Sequence, residues 1–215
     1  RRPISRRERG WAKWATRTLA GSAITPNQIS FSSIVFAALG GACFYASSLT
    51  GNGIDRVLLL LGAALFCQLR LLANMLDGMV AVEAKRGGPD GPVWNELPDR
   101  FADIFILVGA GYAVVQHGLA DSALGWACAV AAVMTAYVRE VVKGAGAPAD
   151  FSGPMAKPHR MFVMTMAALI STAEPLWHWR GETIYYALWI VLAGSIITLL
   201  NRARRGLVYL NAPRG

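Results

Sequence analysis

A chain of 215 residues, 54% hydrophobic and with a formal net charge of +8, has the length of one soluble domain, but its apolar residues are gathered into runs long enough to span a membrane. That distribution excludes an ordinary soluble core. The cations sit at the ends of the runs instead of covering one face, which argues against nucleic acid as the partner.

The pattern predicts an all-α fold, a polytopic membrane bundle of six transmembrane helices preceded by an N-terminal interfacial amphipathic helix. A single domain is expected over 1–215, with the interfacial helix and a linker in 1–24 and the bundle in 25–205. In residues 6–19, RRERGWAKWATRTL, Trp11 and Trp14 lie among Arg and Lys, which suits a helix at headgroup depth against anionic lipid. In ITPNQIS, Pro26 and Asn27 mark a helix start. The predicted spans are 28–49, 56–81, 97–117, 121–142, 159–176 and 183–201. Their flanks alternate. Basic residues crowd the N-terminus, the link at Lys85 and Arg86, the loop holding Lys143, Lys157 and Arg160, and the tail after Arg202, whereas the opposite loops carry only Arg56 and Arg180. The positive-inside rule places both termini in the cytoplasm, as expected for a multi-pass protein of a bacterial inner membrane. No cleavable signal peptide is expected, and the lack of an initiator Met leaves room for residues upstream. Cys43, Cys67 and Cys128 are isolated within apolar runs and read as packing residues.

The stretch Asn74–Asp103 places polar groups at the edges of two apolar spans. At 3.6 residues per turn, Asn74, Asp77, Gly78 and Ala81 share one helix face, and Asn95, Asp99 and Asp103 form a stripe on the next. The Gly- and Pro-containing link KRGGPDGP reads as an aqueous turn that lets the stripes face each other. Buried carboxylates repel one another unless a cation sits among them, and a hard divalent ion is the natural occupant. Arg70, one turn before Asn74, is either a functional group or the structural partner of an acid such as Asp103. Glu96 reads as a solvated loop acid, and Pro98 as a first-turn proline opening the third span at Leu97.

Further on, Arg139, Glu140 and Lys143 lie at the cytoplasmic boundary of the fourth span. After a Gly/Pro-rich loop, Lys157, His159 and Arg160 open the fifth. Cations at a helix N-terminus suit a phosphate, although positive-inside anchoring explains them nearly as well. His117 and His178 fall on the opposite side, where Trp177 and Trp179 suit an interfacial belt.

The residues from Asn74 to Asp99 resemble the signature of the CDP-alcohol phosphatidyltransferase family, D-x2-D-G-x2-A-R-x8-G-x3-D-x3-D. The pattern falls without a gap on Asn74, Asp77, Gly78, Ala81, Val82, Gly91, Asn95 and Asp99, agreeing at Asp77, Gly78, Ala81, Gly91 and Asp99. Asn74 and Asn95 replace two acids, Val82 replaces the Arg, and Asp103 is an additional acid one turn beyond Asp99. The resemblance implies an enzyme that transfers a phosphatidyl group from a CDP-linked lipid such as CDP-diacylglycerol to an alcohol, releasing CMP. It implies Mg2+ or Mn2+ held by Asn74, Asp77, Asn95 and Asp99, with Asp103 as a further candidate ligand. Asp99 takes the position of the catalytic base, with Asp103 as the alternative. Gly78, Ala81 and Gly91 would line the CDP pocket, and Lys157 and Arg160 would face the acceptor, tilting it toward a phosphorylated alcohol. A homodimer is also expected from the family. The rival readings are a UbiA-type prenyltransferase, a transporter and a catalytically reduced membrane subunit.

Overall fold

The computed structural model describes Gly10, Thr18 and residues 25–51, 53–83 and 90–212. The interfacial helix expected over 6–19 and the link at Lys85 and Arg86 therefore lie outside the described residues, apart from Gly10 and Thr18. Among the described residues there are six long helices and no strand: α1 (Pro26–Leu49), α2 (Ile54–Glu83), α3 (Gly91–Gln116), α4 (Ala123–Gly144), α5 (Lys157–Ser171) and α6 (Glu182–Leu210). A 3-10 turn, Glu174–Trp177, joins the last two.

Four of these helices, α1, α2 as far as Ala81, α4 and α6, are long and apolar enough to cross a membrane. The other two differ for separate reasons. With 15 residues, α5 is only about 22 Å long. α3 carries Glu96, Asp99, Arg100 and Asp103 in its first half. Both still turn apolar side chains outward, Leu97, Phe101, Phe105 and Tyr112 on α3 and Phe162, Leu169 and Ile170 on α5.

Local chemistry sets the helix ends. At α1, the Gln28 backbone N–H donates to Thr25 Oγ1 at 3.2 Å while the Thr25 N–H donates to Gln28 Oε1 at 2.9 Å, a reciprocal cap followed by Pro26 in the first turn. Two expected boundaries are corrected. α3 begins at Gly91, so Pro98 is an interior proline and has no N–H to offer the preceding turn. α6 continues past residue 201 to Leu210, because Arg202 is buried there and donates to the carbonyls of Ser152 at 2.9 Å and Thr135 at 2.7 Å. These bonds make the polar segment NRARRG a packed helical turn instead of a solvated tail.

α1 packs along both α2 and α3, α4 lies against α3 and α6, and α5 bridges α2 and α6. Two glycine crossings bring α3 close to its neighbours. A Cβ on Gly41 would lie 2.2 Å from the Phe105 carbonyl oxygen, and one on Gly111 would lie 2.5 Å from the Gly125 Cα. Backbones this close allow only glycine, the usual device for tight helix association in lipid. The core between them holds Phe44, Leu60, Ile106, Leu107 and Leu188, together with Cys67 and Cys128. All three cysteines are free, in keeping with a packing role.

At the N-terminal end of α2, Arg56 and Glu174 form a buried ion pair. Arg56 also donates to the Ser171 carbonyl, and Glu174 accepts from the N–H groups of Gly181 and Thr183, each of these three bonds at 2.8 Å. This polar clasp fastens α2, α5 and α6 together. It lies some 21 residues before Asp77 along α2, about 32 Å of helix. His117, which follows α3, packs against Gly181 at the same end, and Trp177 and Trp179 meet edge to face there with centroids 6.3 Å apart.

Candidate active site

The acid stripes of α2 and α3 meet where these helices approach the start of α5. Asn74 donates through Nδ2 to Asp99 Oδ1 at 2.8 Å, and Lys157 donates through Nζ to both Asn74 Oδ1 and Asp99 Oδ2. The three side chains therefore close a ring: amide to carboxylate, ammonium to both. Lys157 is the first residue of α5, with Pro158 behind it fitting the first turn, so its stem reaches sideways into the junction. Its side chain is 24% exposed, against 5% for Asp99.

Asp77 lies one turn beyond Asn74 and is buried, but it faces α1. Ser30 Oγ donates to Asp77 Oδ2 at 2.6 Å, and the Gly78 backbone N–H donates to Oδ1. Ser30 was not anticipated. Its only trace in the sequence is a run of small polar residues, Ser30, Ser32 and Ser33, near the start of an otherwise apolar helix.

Asp103, one turn deeper in α3, is fully buried between two guanidinium groups. Arg70 Nη2 donates to Oδ1 at 3.1 Å and Arg160 Nη2 donates to Oδ2 at 2.6 Å. Arg160 is held again by the Met155 carbonyl at 2.8 Å, and Arg70 also donates to the Asp99 carbonyl at 3.3 Å. Of the two readings of Arg70, the structure contains the pairing with Asp103. Arg160 is committed inward in this arrangement, whereas Lys157 is the more exposed of the two expected phosphate cations.

A belt of ion pairs surrounds the ring. Glu96 is corrected from a solvated loop acid to a helical one, paired with Arg139 of α4 and with Arg100 at 3.6 Å. Arg100 also approaches Asp99 Oδ2 at 3.7 Å, and Arg139 stacks 4.8 Å from the centre of the Phe151 ring. In the loop before α5, Asp150 accepts from the Ser152 N–H at 2.8 Å and pairs with Arg205 at 3.3 Å. Burial would raise the Asp150 carboxyl, but the Ser152 and Arg205 contacts outweigh it and hold it below the usual carboxylate range.

Asn95 lies on α3 one turn before Asp99, and its side chain lies outside the described residues. Gly78 and Ala81 are half-buried beside Asp77, while Gly91 opens α3 next to Asp90, which accepts from Asn27 Nδ2 at 3.3 Å. Among the described residues, no three of His, Cys, Asp and Glu gather into a set able to hold a metal ion. The donors at the junction are instead an amide and a carboxylate. Their oxygens converge on one positive atom, Lys157 Nζ, so the donor set does fit a cation.

No family model matches the chain. A phosphatidylinositol phosphate synthase of Mycolicibacterium smegmatis is 28% identical over 138 residues, and the match covers 61% of this chain but only 59% of that relative. Two crystal structures of Mycobacterium tuberculosis phosphatidylinositol phosphate synthase superpose with a TM-score of 0.74 at 20% identity over 94% of this chain. One is a complex with manganese and citrate and covers 92% of that protein; the other has CDP-DAG bound and covers 96%. The chain therefore has the fold of the phosphatidylinositol phosphate synthases.

Proposed function

We propose that this chain is a membrane phospholipid-synthesising transferase of the CDP-alcohol phosphatidyltransferase family. It moves a phosphatidyl group from a CDP-linked lipid to an alcohol and releases CMP. The observation that carries this reading is the convergence of Asn74 and Asp99 oxygens on a cation position at the α2–α3 junction, on a fold shared with enzymes solved with manganese or CDP-DAG. The names of the relatives support a phosphorylated inositol as the first acceptor to try. All six helices would cross the bilayer, α5 and the polar end of α3 being shielded by the others. The cation-rich ends, and the site with them, would face the cytoplasm. A homodimer remains part of the proposal by family resemblance.

Asn74 and Asp99 would hold the Mg2+ or Mn2+ ion, with Asp77 and Asn95 as neighbouring donors. When bound there, the ion neutralises the diphosphate and stabilises the leaving phosphate. Asp99 would also face the acceptor hydroxyl and take its proton. Of the two candidate bases we assign the role to Asp99, because Asp103 is held on both oxygens by buried guanidinium groups, whereas the cation on Asp99 Oδ2 is the partly exposed Lys157. Asp103 would then act as a counter-ion that positions Arg70 and Arg160. Ser30 and the Gly78 N–H would orient Asp77. Gly78, Ala81 and Gly91 would border the CDP moiety, and Lys157 would meet phosphate.

One observation favours a second reading, a catalytically reduced membrane subunit: Asp99 and Asp103 already pair with four cations, Arg70, Arg100, Lys157 and Arg160, which leaves these two acids no uncompensated negative charge. CMP release from CDP-diacylglycerol with Mn2+ and a panel of alcohols, inositol phosphate included, decides between them. The transferase releases CMP with metal and one acceptor and loses that activity in Asp99→Asn; the reduced subunit releases none with any acceptor.

A further inference from the structure

Lys157 occupies the point where the Asn74 and Asp99 oxygens converge, the point that the proposed function gives to a divalent ion. Its ammonium is shared by Asn74 Oδ1 and Asp99 Oδ2, and the same amide turns its Nδ2 to the other oxygen of Asp99. This ring gives a physical reason for Asn at the first position of the signature. A carboxylate at 74 would repel Asp99, whereas an amide bridges the acid and the ammonium. The anchors also differ in freedom. Arg160 is fixed at Met155 and Asp103, but Lys157 stands at a helix start on a flexible stem and, among the described residues, reaches no acceptor other than Asn74 and Asp99.

We propose that Lys157 is a tethered stand-in cation, a positioning residue that holds the Asn74–Asp99 pair in register without metal and is displaced when a divalent ion takes those oxygens. An ammonium and a divalent ion cannot share the two oxygens, because like charges repel strongly at such distances in a partly buried site. Displacement frees the ammonium for an anion at the same junction, so metal arrival and phosphate capture are coupled, each strengthening the other. The inference rests on the divalent ion of the proposed function and not on any particular acceptor.

The test is Mn2+ binding to the purified full chain, followed by electron paramagnetic resonance of free Mn2+, in the wild type, Lys157→Met, Lys157→Gln and Lys157→Arg. The neutral variants lose the competitor and are expected to bind Mn2+ at least about fivefold more tightly, while Lys157→Arg stays near the wild type. In chelator the neutral variants unfold at lower temperature than the wild type, and Mn2+ raises their midpoint by more. A measurement on the wild type alone covers the case in which the variants do not fold: Mn2+ should increase the labelling of Lys157 by an amine-reactive reagent, read by mass spectrometry. Equal or weaker Mn2+ binding in both neutral variants overturns the proposal, as does labelling that Mn2+ leaves unchanged or lowers. Absence of Mn2+ binding in every protein overturns it together with the metal site. Tighter binding in the neutral variants without CMP release by the wild type supports the displacement and sinks the transferase reading alone.

Discussion

Ser30 Oγ reaches Asp77 Oδ2 at 2.6 Å across the α1–α2 interface, so the first helix of the bundle contributes to the orientation of an acid carried by the second. Both groups are buried, and among the described residues that Asp77 oxygen has no second donor if the hydroxyl is removed. A hydrogen bond to a charged group is worth roughly 1.5–3 kcal/mol. Ser30→Ala should therefore reduce CMP release about tenfold to a hundredfold while leaving the helical content unchanged, and Ser30→Thr should recover part of the loss. Steady-state CMP release at saturating Mn2+, alongside far-ultraviolet circular dichroism, checks both halves.

Asp99 and Asp103 lie one turn apart on α3 but should fail in opposite ways. Asp99→Asn removes the group assigned to proton transfer, and turnover should fall by about two to four orders of magnitude. Asp103→Asn leaves Arg160 buried without its counter-charge and Arg70 with only Asp99 at 3.5 Å, a change of the kind that costs about 3–5 kcal/mol of stability. Thermal unfolding in detergent should show a large drop for the second variant and a small one for the first. CMP release per folded molecule should rank them the other way; the reverse ranking would move the base to Asp103.

How far the sequence carries an observer can be judged from these same residues. Helical spacing put Asn74 and Asp77 on one face and Asp99 and Asp103 on another, and periodicity alone suffices for that, because a helix is a local object. Which acid pairs with which cation depends on where α5 returns, a long-range fact that no window around Asp99 contains. Lys157 and Arg160 therefore looked equivalent three residues apart, although one sits at the mouth of the junction and the other is locked beneath it. Ser30 was invisible for the same reason, being 47 residues from the acid it touches. Pro98 misled in another way. A proline in a helical pattern normally marks a start, and only the tertiary setting shows that α3 continues through it from Gly91.

The α3–α4 crossing is a test of packing alone. A Cβ on Gly111 would fall 2.5 Å from the Gly125 Cα, backbone that cannot move aside as a side chain can. Gly111→Val should force the two helices apart and cost at least about 1–3 kcal/mol, the usual range for overpacking. A lowered unfolding midpoint and poor recovery from the membrane fraction are the expected results. Gly91→Ala, at a position where an added Cβ meets nothing within 4 Å among the described residues, should be tolerated in stability.

The clasp of Arg56 and Glu174 separates stability from chemistry most cleanly, because it lies at the far end of α2 from the ring. Both side chains are buried, 2% and 0% exposed, so Glu174→Gln leaves an uncompensated guanidinium in the core as well as weakening the acceptor of the Gly181 and Thr183 N–H groups. Breaking such a pair costs about 3–5 kcal/mol, whereas replacing both members by apolar groups of similar size is often neutral. Here the amides of Gly181 and Thr183 make full recovery unattainable, since an apolar residue at 174 offers them no acceptor. The double variant Arg56→Met with Glu174→Met should thus be more stable than Arg56 left alone with Glu174→Met, and less stable than the wild type. Thermal midpoints of the four proteins in a double-mutant cycle measure this ordering, and CMP release per folded molecule should stay within about twofold across the set if additivity between distant sites holds.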